Sequence, residues 1–272
     1  FHGSRMVGFS LAGVAIKASG MASAFFVNAI SFVAMIIAIL SLPPRLKGTA
    51  EEEEKRASGI KEGFRYIAND RPSLAMLVLI ATQSFCIFPI ITIMMPLYGK
   101  LVLHLGPDRV SYLMGASAVG SIVGSLFLIS LPRAQRVPVM MINAIIVTGA
   151  IFGLSRAPGF YFATAIMILN SLGLAMNFAL CSTIVQERAP DYLRGRVSGV
   201  FMLGFVGIMP FAGLGVTSLS DVIGMPTALM IAAISYGVIT LIVLTRIRKE
   251  CAEPPPVSAT QAAGTPPVPA TV

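Results

Sequence analysis

Charge vanishes from the chain between residues 18 and 44, and again in six further windows at 72–99, 110–132, 137–155, 157–186, 197–220 and 222–245. Inside each window the apolar side chains run on without alternation. A strand of a membrane barrel alternates apolar and polar positions over about ten residues, whereas a helix crosses lipid with roughly 20 mostly apolar ones. The pattern therefore predicts seven spanning helices: B (21–42), C (74–98), D (110–131), E (137–154), F (159–185), G (197–219) and H (222–245). A shorter apolar stretch at 6–16 reads as the end of a longer helix, span A. Phe1 is not a start methionine, and no basic segment precedes a short apolar core, so this is not a signal peptide. The expectation is a protein that extends upstream.

Composition agrees. The 272 residues are 56% hydrophobic and only 12% charged, against about 25% charged in a soluble domain. The net charge of +8 does not signal nucleic-acid binding, because the basic residues sit in loops between spans. Loops B–C, D–E, F–G and the segment after H hold fifteen Lys and Arg; the opposite loops hold four. That asymmetry places the B–C loop and the C-terminus on the cytoplasmic side of the membrane.

The longest loop, 43–72, contains Glu51, Glu52, Glu53 and Glu54, then Ile60, Phe64 and Ile67 at helical spacing beside Lys61 and Arg65. It is either an amphipathic helix on the membrane surface or a solvated linker with one helical turn. The predicted organisation is the end of an N-terminal bundle (1–42), a cytoplasmic linker (43–72), a six-helix bundle (73–249) and a Pro-rich tail (250–272) expected to be disordered.

The spans hold few polar side chains. Asn28, Gln83, Asn143, Asn170 and Asn177 are amides that lipid would leave unpartnered at a cost of several kcal/mol. Each must face protein or a wet cavity, so they are candidates for a substrate cavity or for interhelical hydrogen bonds. Asn170 and Asn177 share a helix face with Cys181 and form the favoured cavity wall. Pro89, Pro96 and Pro210 interrupt spans C and G. They are candidate hinges, although proline is also simply frequent in membrane helices. Gly120 and Gly124 in D, and Gly149 and Gly153 in E, have the spacing of close helix packing.

Catalytic and metal chemistry find no foothold. His2 and His104 are isolated, the three cysteines lie at 86, 181 and 251 without a C-x-x-C pair, and there is no phosphate-binding loop. No enzyme activity, cofactor, metal or disulfide is expected. All twelve carboxylates fall outside the uncharged windows, so any proton-coupling group must lie upstream or the coupling must differ.

Several segments, in order, resemble one branch of the major facilitator superfamily, the one containing the enterobactin exporter and the transmembrane secretion effectors. Residues 4–13 are similar to its fifth-helix antiporter motif at Gly8 and Gly13, with Phe9 where the family has proline and Ala12 where it has glycine. Residues 24–32 resemble the sixth helix. Phe88-Pro89, Met95-Pro96-Leu97-Tyr98 and Leu113-Met114-Gly115-Ala116 resemble the seventh and eighth, and 186–197 the loop between the tenth and eleventh. The resemblance implies an all-α membrane protein with a truncated major facilitator fold, helices five to twelve of twelve. Gly8 and Gly13 would then join the hinge candidates. It implies a monomeric secondary exporter of small amphipathic molecules, of drug or siderophore type, in a bacterial plasma (inner) membrane, working by alternating access with proton antiport. An uptake permease of the same fold, or an inactive fragment, is the alternative. Asp191, Arg194 and Arg196 would form a cytoplasmic gate, or the two arginines serve only as topology anchors.

Overall fold

The computed structural model describes residues 21–41, 59–126 and 131–252. Span A, with Gly8 and Gly13, the acidic run 51–54 and the tail beyond Ala252 lie outside the described residues.

Every secondary-structure element among the described residues is helical. Helix α1 (Met21–Leu40) is span B. Its described apolar side chains are exposed, as suits a helix whose solvent is hydrocarbon, but so is Asn28, which the sequence reading expected to face protein or a wet cavity. Helix α2 (Gly59–Asn69) is the predicted linker helix. Span C is three pieces: α3 (Arg71–Cys86), a π-helical segment (Ile90–Met94) and α4 (Met95–Leu101). Span D is α5 (Pro107–Leu126), E is α6 (Arg133–Leu154) and F is α7 (Phe160–Arg188). Span G is split into α8 (Arg194–Val206) and α9 (Met209–Ile223), and H is α10 (Met225–Ala252), which runs past the expected start of the tail. Five of these stretches are long and apolar enough to cross a membrane: Arg71–Leu101, Arg133–Leu154, Phe160–Arg188, Arg194–Ile223 and Met225–Cys251. Asp221, expected between spans, sits exposed in the last turn of α9.

Local chemistry sets the boundaries. Asp70 caps α3: one carboxylate oxygen accepts from the Ser73 backbone N–H at 3.0 Å and from its hydroxyl at 2.5 Å. Pro72 in the first turn loses nothing, because that N–H has no helical partner anyway. Pro89 has no N–H to donate, so the regular ladder ends at Cys86 and restarts as a wider π turn. Pro210 acts likewise on span G, where the break falls at Gly207 and Ile208. Pro96 sits in the first turn of α4 and causes no separate break.

The helices C to H form one bundle. α5 packs along α7, α10 runs beside α6 and α3, and α6 lies against α7. Gly120 and Gly124 make the first of these contacts possible: a Cβ at either would collide with the backbone carbonyl of Ile168 or Leu172 in α7. The matching pair in α6 does not behave this way, since Gly149 faces open space and Gly153 meets only side chains; the spacing there is not a packing motif. The buried core has two parts. One, near the basic loops, joins Met76, Leu79, Leu180, Ile184, Phe201 and Leu244. The other, toward the opposite end, joins Ile87, Met94, Ile151, Met167 and Tyr236. Tyr98 ties that end by donating to the Leu154 carbonyl at 2.6 Å. Lipid gives apolar side chains little reason to leave it, so such contacts hold by dispersion and shape.

Candidate functional site: an apolar cavity and a braced basic end

A cavity of about 280 Å³ lies between spans C, D, F and G. From α7 it takes Ser171, Leu174, Ala175 and Phe178, spaced i, i+3, i+4, i+7 on one helix face. From α5 come Ser117 and Ser121, one turn apart. Span C gives Gln83, Phe88, Ile91 and Thr92, and span G gives Phe205, Val206 and Met209. Both proline-broken stretches thus border the cavity. Three aromatic rings gather on one side: Phe205 lies 5.1 Å edge-on from Phe88 and 5.0 Å from Phe178. No charged side chain lies in this lining.

The predicted amides divide. Gln83 reaches the cavity wall. Its side-chain N–H donates to the Leu174 carbonyl at 3.2 Å, and its carbonyl accepts from Asn177 at 2.7 Å. Asn177 also stands 3.5 Å from the Tyr236 hydroxyl, and the Cys181 thiol lies 4.0 Å from its Oδ1. Asn143 donates to the Gly173 carbonyl at 2.7 Å. Asn170 is fully buried, and neither of its amide atoms has a partner among the described residues. So Asn143, Asn170 and Asn177 lie inside the bundle. The face of α7 that borders the cavity is the neighbouring one, carrying Ser171 and Phe178. The reason is rotation: an amide seven residues from another fixes a face, but not which neighbour that face meets. Asn28 is exposed on α1 and is not brought to these residues.

The second feature is a set of ion pairs at the basic end. Arg188, in the last turn of α7, grips Asp70 with both prongs, Nε to Oδ2 at 2.9 Å and Nη2 to Oδ1 at 2.8 Å. Burial alone would raise the Asp70 carboxyl; the hydrogen bonds from Arg188 and Ser73 outweigh it and hold the group below the usual carboxylate range. Tyr66 in α2 donates to the Arg188 carbonyl at 2.5 Å. Burial, and then the Asp70 charge, push that phenol up. Glu187 takes Arg136 through two hydrogen bonds of 2.9 and 3.1 Å, and Arg133 at 3.1 Å.

Among the gate candidates, Arg194 closes on Asp191 at 2.8 Å in an exposed local pair. Arg196 instead pairs with Glu62 of α2. Backbone reinforces that link, because Gly63 of α2 sits against the Arg196 main chain. Helix α2 is therefore docked on the bundle through Glu62, Gly63, Tyr66 and buried Ile67, while Ile60 and Phe64 stay exposed. The apolar face read in the sequence is divided: Ile67 packs into the bundle core, while Ile60 and Phe64 are exposed along with Lys61 and Arg65.

The reading of the sequence missed the hydroxyls Thr92, Ser117, Ser121 and Ser171 and the three phenylalanines of the wall. A turn-spaced hydroxyl pair in an otherwise apolar span was the available signal. It also missed Asp70, which looked like an ordinary loop carboxylate.

Long apolar helices bundled around a lipophilic cavity define a multi-pass membrane protein. The sequence matches the Major Facilitator Superfamily over residues 1–214, and the chain belongs to that superfamily, a family of transporters and not of enzymes. It is similar to the multidrug efflux pump Tap of Mycobacterium tuberculosis (strain ATCC 25618 / H37Rv) and of Mycobacterium bovis (strain BCG / Pasteur 1173P2), 26% identical over 237 residues in each case. Those alignments cover 84% of this chain and 55% of the pump. The chain thus spans about half the length of the curated relatives it matches.

Proposed function

We propose that this chain forms the cavity-bearing C-terminal part of a secondary exporter of small amphipathic molecules, working by alternating access. The carrying observation is the cavity itself: a lipophilic space of about 280 Å³ bounded by spans C, D, F and G and flanked by both broken helices. Similarity to proteins named as multidrug efflux pumps supports the outward direction. In this reading spans A to H are helices five to twelve of the family's twelve, in the enterobactin-exporter branch that the motif order resembles. The protein lies in the plasma membrane as a monomer, with its basic loops and C-terminus in the cytoplasm.

Arg196–Glu62 and Arg188–Asp70 act here as cytoplasmic braces, joining the linker helix and span C to the ends of F and G. Proton coupling belongs to the same reading. No carboxylate stands in the cavity lining, so the group that carries the proton lies elsewhere in the working protein.

The test is dye accumulation in bacterial cells deleted for their own efflux pumps. Cells expressing the protein should accumulate less ethidium than cells carrying Ser171→Trp, which fills the cavity, and a protonophore should abolish the difference. Equal accumulation with and without Ser171→Trp would remove the cavity from the transport route. Inverted vesicles give the direction: energised uptake of the dye into them reports export, and loss from them reports import.

A further inference from the structure

Ser84 and Phe205 hold equivalent places in the two broken spans. Each stands five residues before a proline, Pro89 in span C and Pro210 in span G. Neither proline can donate to the carbonyl four residues back, so each span is weakened just beyond these positions. The Ser84 hydroxyl, fully buried, donates to the Phe205 carbonyl and joins the two spans at that level. Leu77, Ser84 and Phe88 share one face of span C, and all three meet span G. Leu77 lies against Gly204, where a Cβ would come within 2.6 Å of its methyl, and the Phe88 ring stands edge-on to Phe205 at 5.1 Å. Ring edges and a leucine in a glycine groove tolerate sliding. A hydroxyl on a carbonyl holds only over a narrow range of distance and angle. Toward span F, span G offers rings: Phe178 meets Phe205 at 5.0 Å and Phe201 at 5.8 Å. Gln83, next to Ser84, makes the opposite link, to the Leu174 carbonyl of span F. Adjacent residues of span C thus hold F and G, both just before the bend.

We infer that Ser84 is a positioning residue that yokes the bend of span G to that of span C, so that the outer halves of the two spans swing together. The inference rests on the alternating access proposed above and adds the residue that keeps the moving wall in step. Without this bond, span G turns about Gly207 and Pro210 on its own, guided by rings that slide. Ser84 lies outside the cavity lining, so it acts on the motion and not on the ligand.

The test places spin labels in pairs at Leu101 of span C, Val222 of span G and Tyr161 of span F, all exposed at the end opposite the basic loops. The background is Cys86→Ala/Cys181→Ala/Cys251→Ala, and pulsed EPR reads the separations in phosphatidylcholine nanodiscs with and without ethidium. In the parent, ethidium should shift the 101–161 and 161–222 separations together and leave 101–222 in one narrow distribution. Ser84→Ala should at least double the width of the 101–222 distribution and leave 101–161 as it was. Phe88→Leu, which removes the ring contact and keeps the bond, should behave as the parent. In ethidium efflux, Ser84→Ala should lower the maximal rate about fivefold, the scale of one buried hydrogen bond, with half-saturation within twofold. If the 101–222 distribution stays narrow in Ser84→Ala, or broadens equally in Phe88→Leu, the yoke is wrong while alternating access stands. If all three pairs broaden in Ser84→Ala, Ser84 only holds the fold and the inference falls. If ethidium shifts no pair in the parent, alternating access and the yoke fall together.

Discussion

Arg188 and Asp70, 118 residues apart in the chain, meet through two parallel hydrogen bonds of 2.8 and 2.9 Å, with 12% and 15% of their side chains exposed. The same carboxylate caps α3, and the carbonyl of Arg188 holds Tyr66 of α2. One pair therefore joins the linker helix, the start of span C and the end of span F. Planar two-pronged geometry is specific to arginine.

Breaking this pair leaves a charge stranded in a mostly buried site. Asp70→Asn and Arg188→Met are each expected to cost about 2–4 kcal/mol of stability, and Arg188→Lys somewhat less. Thermal unfolding in detergent, followed by circular dichroism, measures this. Unchanged midpoints would show that solvent reaches the pair freely.

The depressed Asp70 carboxyl also gives a pH signature. A group held below its unfolded value, about 3.9 for aspartate, contributes stability that is fully present above that value and is lost as pH falls through the folded one. Stability of the parent should thus decline below about pH 4 more steeply than that of Asp70→Asn. Parallel acid limbs in the two proteins would contradict the assignment.

The two G-x-x-x-G pairs should respond oppositely. Gly124→Ala places a methyl into the Leu172 carbonyl and Gly120→Ala into that of Ile168. Overpacking of this kind costs about 1–3 kcal/mol and should show as lower Tm and reduced monodisperse yield. Gly149→Ala meets nothing and should be neutral or slightly stabilising, as alanine favours helix. Size-exclusion profiles of the three variants decide between these outcomes.

Asn177 and Asn170 should also separate. Asn177→Leu strips a partner from Gln83 and Tyr236, and unpaired buried groups cost about 1–3 kcal/mol each. Asn170→Leu removes an amide that has no partner to strand and should leave the unfolding midpoint level or higher. A larger loss at 170 than at 177 would mean that buried water completes the Asn170 amide.

Much of this was legible because lipid imposes a simple rule on composition. The uncharged windows located the helices of spans B to H, five of them long and apolar enough to cross a membrane, although α10 runs seven residues past the predicted end of H; the spacing of Ile60, Phe64 and Ile67 found α2. Side-chain orientation was less accessible. Asn170, Asn177 and Cys181 do share a face, as their spacing requires. In a helix surrounded by apolar neighbours, however, no polar stripe says which face meets a cavity. Ser171, one residue from Asn170, is the one that does. The ion pairs were hidden for a different reason: Asp70 and Arg188 are brought together by the bundle, and nothing local in either segment announces the other. Pro89 and Pro210 were visible as residues, but proline alone does not say that both breaks would fall beside one cavity.

The glycine seam between α5 and α7 has a mechanical corollary. Backbone pressed against backbone at Gly120 and Gly124 leaves no compliant side-chain layer, so these two helices behave as a single rigid plank. Under the alternating access proposed above, enlarging or collapsing the space falls to the facing wall, where spans C and G are already segmented, and spin labels on 118 and 175 should hold a fixed separation while a label at 91 or 206 moves relative to both.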